Sequence, residues 1–259
     1  MDSQARFSNR VETYIRSRPG YPPAVIDLLA AECGLAANDF VADVGSGTGI
    51  LAELFLKNGN RVIGVEPNAE MRAAGERLLA GYQDFTSING TAEATTLPAA
   101  SVDIITAAQA FHWFIRDRAR AEFGRILKPG GWVCLLWNER RTDSTAFLRD
   151  YEKLLLNFGT DYQAVRHENV YENIAAFFAP NEFKLKSFEN LQVFDYEGLK
   201  GRLLSSSYVP AEGQPRSAEM LDALRSLFDA HVQNGSVVVE YDTRVYYGRM
   251  SVPPAVSGG

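Results

Sequence analysis

Val41-Ala42-Asp43-Val44-Gly45-Ser46-Gly47-Thr48-Gly49 joins an apolar run to a segment of helical period, and its reading decides the fold. Glycines at alternate positions permit a tight turn with positive φ and let backbone amides come close to a ligand. The dinucleotide pattern Gly-x-Gly-x-x-Gly is not met, because the sixth position, counted from Gly45, is Ile50. Taken alone, the same glycines also suit a plain strand-to-helix connection.

Outward from this turn the chain alternates short apolar runs with helix-period segments, the pattern of βαβ units and a parallel sheet. The runs at 40–44, 61–65, 102–107 and 132–137 are apolar almost throughout, as strands covered on both faces must be. Between them, Val25, Leu28 and Leu29 follow Pro22-Pro23, and Leu51, Leu54 and Phe55 precede an Asn58-Gly59 stop. Asn68 suits a helix N-cap, with Glu70 in the first turn where the dipole favours an anion. Ala119, Phe123, Ile126 and Leu127 mark a further helix that Pro129-Gly130-Gly131 ends.

After Asn138 the rhythm changes to a helical region reaching about residue 182. Two β-rich segments follow, 183–194 and 237–247, with an amphipathic helix at 217–233 between them. In the second of these, Val237, Val239, Tyr241, Val245 and Tyr247 alternate with polar residues, an antiparallel signature with one wetter face. The expected organisation is one domain over 1–250, with 139–182 as a helical insertion, and a Pro-, Gly- and Ser-containing tail at 251–259 that reads as disordered.

A composition of 46% hydrophobic and 22% charged residues supports a sizeable globular core. The net charge of −6 argues against a phosphate-backbone partner, which needs clustered Lys and Arg. Cys33 and Cys134 lack metal-ligand spacing and read as buried, reduced thiols. No metal is expected. The polar start Met1-Asp2-Ser3-Gln4-Ala5-Arg6 has no apolar signal core, and no run approaches a membrane span, so a cytoplasmic location is expected.

Glu66 stands 17 residues beyond Gly49 at the end of the second run. In a Rossmann-like sheet that position faces a nucleoside ribose, whose two hydroxyls a carboxylate can bind. A strand-end Glu without the glycine turn would be an ordinary surface charge.

Together, Asp43-Val44-Gly45-Ser46-Gly47-Thr48-Gly49, Val65-Glu66-Pro67-Asn68-Ala69-Glu70-Met71, Gly90-Thr91-Ala92-Glu93 with Leu97-Pro98, Ser101-Val102-Asp103, Gln109-Ala110-Phe111-His112-Trp113-Phe114 and Leu127-Lys128-Pro129-Gly130-Gly131 resemble the class I S-adenosylmethionine methyltransferases, especially the ubiquinone-biosynthesis and trans-aconitate-methylating type. The opening Tyr14-Ile15-Arg16-Ser17-Arg18-Pro19-Gly20-Tyr21-Pro22 also resembles the N-terminal cap of that group. The resemblance implies a Rossmann-like α/β fold: a mostly parallel seven-stranded sheet with helices on both faces and the helical insertion after the fifth strand. It also implies S-adenosylmethionine as cofactor and S-adenosylhomocysteine as product.

Residue by residue, the resemblance implies that Asp43, Gly45, Ser46, Gly47 and Gly49 receive the methionine part, and that Glu66 holds the ribose diol. Pro67 and Met71 would face the adenine, and Ala92 would offer its amide to a ring nitrogen. Many relatives carry Asp where this chain has Thr91, so Thr91 and Glu93 share the adenine amino group. Gln109, Ala110 and Trp113 would line the sulfonium end, an electron-rich ring attracting a cation. Tyr14 and Arg18 would close the methionine end, Arg18 facing its carboxylate.

Methyl transfer needs alignment more than acid–base chemistry. If a base acts it is His112, which can equally hydrogen-bond the cofactor or a loop carbonyl. The acceptor is expected to be a small organic carboxylate, hydroxyl or amine, and residues 139–182 with the segment 14–21 to form its lid. Arg140 and Arg141 at the root of the insertion suit a carboxylate acceptor, or are simply surface arginines. A nicotinamide dehydrogenase and a protein that binds S-adenosylmethionine without transfer remain the rival readings.

Overall fold

The computed structural model describes residues 18–160, 162, 170–206 and 208–250. Tyr14 and the tail 251–259 lie outside the described residues. In chain order the elements are α1 (Ala24–Cys33), β1 (Phe40–Val44), α2 (Ile50–Lys57), β2 (Arg61–Val65), α3 (Ala69–Leu78), β3 (Phe85–Ile88), β4 (Val102–Ala108), α4 (Arg116–Ile126), β5 (Leu127–Arg140), α5 (Ala146–Phe158), α6 (Val170–Phe178), β6 (Phe183–Phe194), α7 (Tyr196–Leu204), α8 (Ser217–His231) and β7 (Val237–Arg249). The seven strands form one sheet in the order β3-β2-β1-β4-β5-β7-β6. It is mostly parallel with one antiparallel pair, the Rossmann-like arrangement expected from the sequence.

The described residues fall into two compact units. One comprises 20–137, 170–188 and 243–250, and the other 18–19, 138–160, 162, 189–206 and 208–242. Strand periodicity explains the first unit's two cores. Ala42, Val44, Ile105, Ala107, Val133 and Leu135 point to one side, where Ala119, Phe123 and Ile126 of α4 and Ile174, Phe177 and Phe178 of α6 cover them. Val41, Ile104, Cys134 and Leu136 point to the other side, under Val25 and Leu29 of α1 and Leu51, Ala52 and Phe55 of α2. The continuous apolar runs thus reflect burial on both faces.

Three elements differ from the sequence expectation. The edge strand β3 was not among the four apolar runs; it is short, half-exposed and carries Thr86 and Ser87. Strand β5 begins at Leu127 rather than 132, because Lys128-Pro129-Gly130-Gly131 forms an irregularity opposite Val102 to Ile104 within the strand. Helix α7 was not foreseen; its N-cap is Asp195, whose side chain accepts from the Gly198 amide.

The second unit has its own core. Phe147, Leu148, Tyr151, Leu154 and Leu155 of α5 pack with Leu199 and Leu203 of α7, Met220 and Leu224 of α8, and Val237, Val239 and Tyr241 of β7. Segment 139–182 is therefore divided, with α5 in this unit and α6 in the first. No helix among the described residues is long and apolar enough to cross a membrane.

Phe177 is buried, with Phe111 4.9 Å and Phe123 5.7 Å away between ring centroids, both edge-on. Phe177→Ala is expected to destabilise the protein by about 3–5 kcal/mol, from lost burial and the cavity left behind. Urea denaturation followed by near-ultraviolet circular dichroism measures this, and a loss under about 1 kcal/mol would show that α6 does not belong to that core.

Candidate active site

The candidate residues of the first unit gather on consecutive strand ends. Because β2, β1 and β4 are adjacent and parallel, the residues after Val65, Val44 and Ala108 emerge at one edge of the sheet. Such carboxyl-end crevices are where open α/β sheets bind ligands.

The glycine turn is shaped by two constraints. Gly45 has φ +73°, and a Cβ there would lie 2.6 Å from the Ala110 Cβ, so the turn and the loop after β4 touch at a point that admits no side chain. Gly47 has φ +56° and its amide donates to Glu66 Oε2 at 2.9 Å. Glu66 Oε1 accepts from the Asn68 amide at 2.8 Å, and Asn68 Oδ1 in turn caps α3 through the Glu70 and Met71 amides. One carboxylate therefore ties the turn after β1 to the helix after β2. Burial raises the Glu66 pKa, against the Asn68 and Gly47 amides and the Arg72 charge, which lower it.

Asp43 is the last-but-one residue of β1 and is 1% exposed. Thr106, its neighbour on β4, donates Oγ1 to Asp43 Oδ1 at 2.9 Å. Oδ2 is buried with no hydrogen-bond partner of good geometry among the described residues. Burial pushes the carboxyl up to about 7 and nearby Glu66 adds to the rise, while Thr106 and, weakly, the Ala52 amide oppose it. The Thr48 hydroxyl in the same turn is likewise buried without a partner among the described residues. Thr48 was not singled out from the sequence; only its burial distinguishes it from the other turn residues.

The loop after β3 carries Thr91, Ala92 and Glu93. Thr91 and Ala94 exchange backbone hydrogen bonds, Ala92 is buried, and Glu93 Oε1 accepts from the Ile115 amide at 2.8 Å. Glu122, which sequence reasoning missed, anchors this loop to α4. Its Oε1 accepts from the Thr95 amide and hydroxyl at 2.8 and 2.5 Å, and Arg125 bonds both its carboxylate and the Leu97 carbonyl. Burial would raise the Glu122 pKa, but the Arg125 and Thr95 bonds outweigh it and hold the group below its ordinary value.

Gln109 follows β4 with φ +53° and donates its amide to the Leu136 carbonyl at 2.9 Å. Phe111 is buried in the core, whereas His112 and Trp113 are exposed, their rings 4.8 Å apart. Pro67 and Met71 flank the Asn68 cap, and Met71 is buried with its Cε 3.5 Å from the Cβ position of Gly47.

Arg18, Arg140 and Arg141 belong to the second unit. Arg18 Nη2 donates to the Ser205 carbonyl at 3.4 Å. Arg140, whose side chain is 9% exposed, pairs with Glu152, with the Tyr162 hydroxyl 3.0 Å away. Arg141 bonds Asp242 at 2.7 Å and Glu189 at 3.1 Å. The two insertion-root arginines thus already hold carboxylates of their own chain. Cys33 and Cys134 are free thiols, and no metal-binding group of His, Cys, Asp and Glu exists among the described residues.

This arrangement coincides with a known domain. Residues 42–135 match the family model described as a methyltransferase domain. The chain is 40% identical over 139 residues to an uncharacterized methyltransferase of Mycobacterium bovis, covering 54% of each chain. It is 30% identical over 156 residues to a methyltransferase-like protein of Schizosaccharomyces pombe, covering 60% of this chain and 59% of that one. The chain thus spans about half the length of the curated relatives it matches. Among solved structures, a candidate type II methyltransferase from Anaeromyxobacter dehalogenans aligns with a TM-score of 0.68 at 26% identity, covering 90% of this chain and 97% of that one.

The raised Asp43 pKa carries a stability consequence for the ligand-free protein. The folded state holds the proton up to about pH 7, while the unfolded chain releases it near 3.8. Stability from this group is therefore present below about pH 4 and declines as pH rises through the window to 7, at up to about 1.4 kcal/mol per pH unit. Asp43→Asn is expected to flatten that decline in denaturation curves taken from pH 4 to 7. Parallel curves for the two proteins would show that Asp43 ionises normally.

Proposed function

We propose that this chain transfers a methyl group from S-adenosylmethionine to a small organic acceptor, releasing S-adenosylhomocysteine. The observation that carries this reading is the Asp43 carboxyl, buried beside the glycine turn with Oδ2 open for a donor. A cationic amino group such as that of the methionine part supplies both the hydrogen bond and the charge that the site lacks.

The other residues fit the remaining parts of the same ligand. Each Glu66 oxygen accepts one amide and retains a lone pair for a ribose hydroxyl. Pro67 and Met71 offer apolar surface to the adenine, and the Glu122-anchored loop offers Thr91, the Ala92 amide and Glu93 to its edge. Ser46, Gly49, Gln109 and Ala110 complete the methionine and sulfonium wall, with Trp113 giving a ring face to the cation. Tyr14 and Arg18 are assigned to the methionine carboxylate.

The cofactor supplies an electrophilic methyl group; the chain's part is to bind it, align the acceptor in line and exclude water. Where the acceptor is a hydroxyl or amine, His112 is the candidate to take its proton. Residues 1–250 are assigned to one functional methyltransferase domain, in which 139–182 with the segment 14–21 provides the acceptor lid. Insertions after the strand ends commonly set specificity in such scaffolds.

Glu66→Ala is expected to weaken S-adenosylmethionine binding by about 1.5–3 kcal/mol, since it removes charge-assisted hydrogen bonds. Calorimetric titration measures this, with circular dichroism confirming the fold. Unchanged affinity would remove the assignment. Labelled-methyl transfer against carboxylates, phenols, quinol precursors and amines tests turnover, and no transfer by a protein that binds the cofactor would leave a binding protein instead.

A further inference from the structure

The whole chain contains two cysteines, far apart in sequence, and the fold of the first unit brings them together. In α1, Val25, Leu29 and Cys33 recur every fourth residue, so all three lie on the helix face that covers the sheet. In β5, Cys134 is in register with Thr106 of β4 and shares the sheet face of Val41, Ile104 and Leu136, which α1 and α2 cover. The Cys134 thiol is hydrogen-bonded to Cys33, and both sulfurs bear on the Tyr247 phenol.

The two thiols differ in access. Cys134 is 0% exposed. Cys33, expected from the sequence to be buried, is half-buried, because α1 ends at it and Gly34 turns the chain away with φ +73°. Lys184, paired with Glu32 beside Cys33, brings an ammonium charge that bears on the Cys33 sulfur and favours its thiolate. The hydrogen bond with Cys33, and then burial, push the Cys134 pKa well above its ordinary value. Solvent reagents therefore meet Cys33 first, and Cys134 is reached only through it.

We propose that Cys33 and Cys134 form a reversible redox staple, closed by a small disulfide such as that of glutathione, which locks the end of α1 to β5. The Cys33 thiolate attacks one sulfur of the reagent, whose S–S bond breaks and releases one glutathione thiolate. The Cys134 thiolate then attacks Cys33 Sγ, forming the internal disulfide and releasing the second. Both cysteine protons pass to the released thiolates, so the cysteines are oxidised and glutathione disulfide is reduced to two thiols. Contact between the sulfurs offsets the small thiolate fraction of Cys134 in the second step. The staple is independent of the function proposed above.

Treatment of the folded full chain with glutathione disulfide, read by intact-mass and peptide-mapping mass spectrometry, tests the inference. The unaltered protein is expected to lose two hydrogens, retain no glutathione and yield a Cys33–Cys134 cross-linked peptide that dithiothreitol reverses. Cys134→Ala is expected to retain one glutathione on Cys33. In Cys33→Ser, Cys134 is expected to react at least a hundredfold more slowly than Cys33 does in Cys134→Ala, and to catch up once urea unfolds the chain. The oxidised protein is expected to melt about 5–10 °C higher than the reduced one, since the bond closes a long loop. Glutathione retained on Cys33 of the unaltered protein, cross-links between chains, no reaction of the folded protein, equal rates in the two variants, or a melting temperature not raised by oxidation would overturn the proposal.

Discussion

Asp43 lies where β1 is covered on both faces, so its carboxyl must be satisfied by neighbouring groups or by a ligand. Thr106 satisfies one oxygen, and the other is left open. A carboxyl in that position is expensive to ionise, which is why its pKa stands near 7. The surrounding backbone is arranged around the same point. The Gly45 turn passes against Ala110, and Glu66 uses both oxygens to fix the Gly47 and Asn68 amides. Three positive-φ glycines and a buried acid meet at one sheet edge, while the two packed cores on either face hold that edge in place.

The two units place their buried charges differently. In the first, the buried acids Asp43, Glu66 and Glu122 organise turns and loops, and each accepts a hydrogen bond from protein donors. In the second, the buried Arg202 donates to the hydroxyls of Tyr241 and Ser206.

Much of this was legible in the sequence because the central strands are buried on both faces and so read as unbroken apolar runs. The glycine turn, Glu66 and the Asn68 cap were legible because each depends on residues close in sequence. Strand β3 was not, since an edge strand half open to solvent needs no apolar run. Helix α7 is short and buries Arg202 along with Leu199 and Leu203, which blurs its amphipathic pattern. Glu122 and Arg202 escaped notice for a different reason: their roles are set by partners at Thr95 and Tyr241, 27 and 39 residues away. Arg140 and Arg141 were visible as a pair, but the carboxylates that engage them lie on other elements.

The claim that the open oxygen of Asp43 awaits a cationic amino group is tested most directly by carbon-13 NMR titration of aspartate carboxyls, with Asp43→Asn assigning the resonance. In the ligand-free protein Asp43 should titrate at about pH 7. Saturation with S-adenosylhomocysteine, which retains the amino group, should lower that value by about two units or more, as an opposite charge at contact does. Titration near 3.8 without ligand, or a midpoint that does not move on saturation, would contradict it.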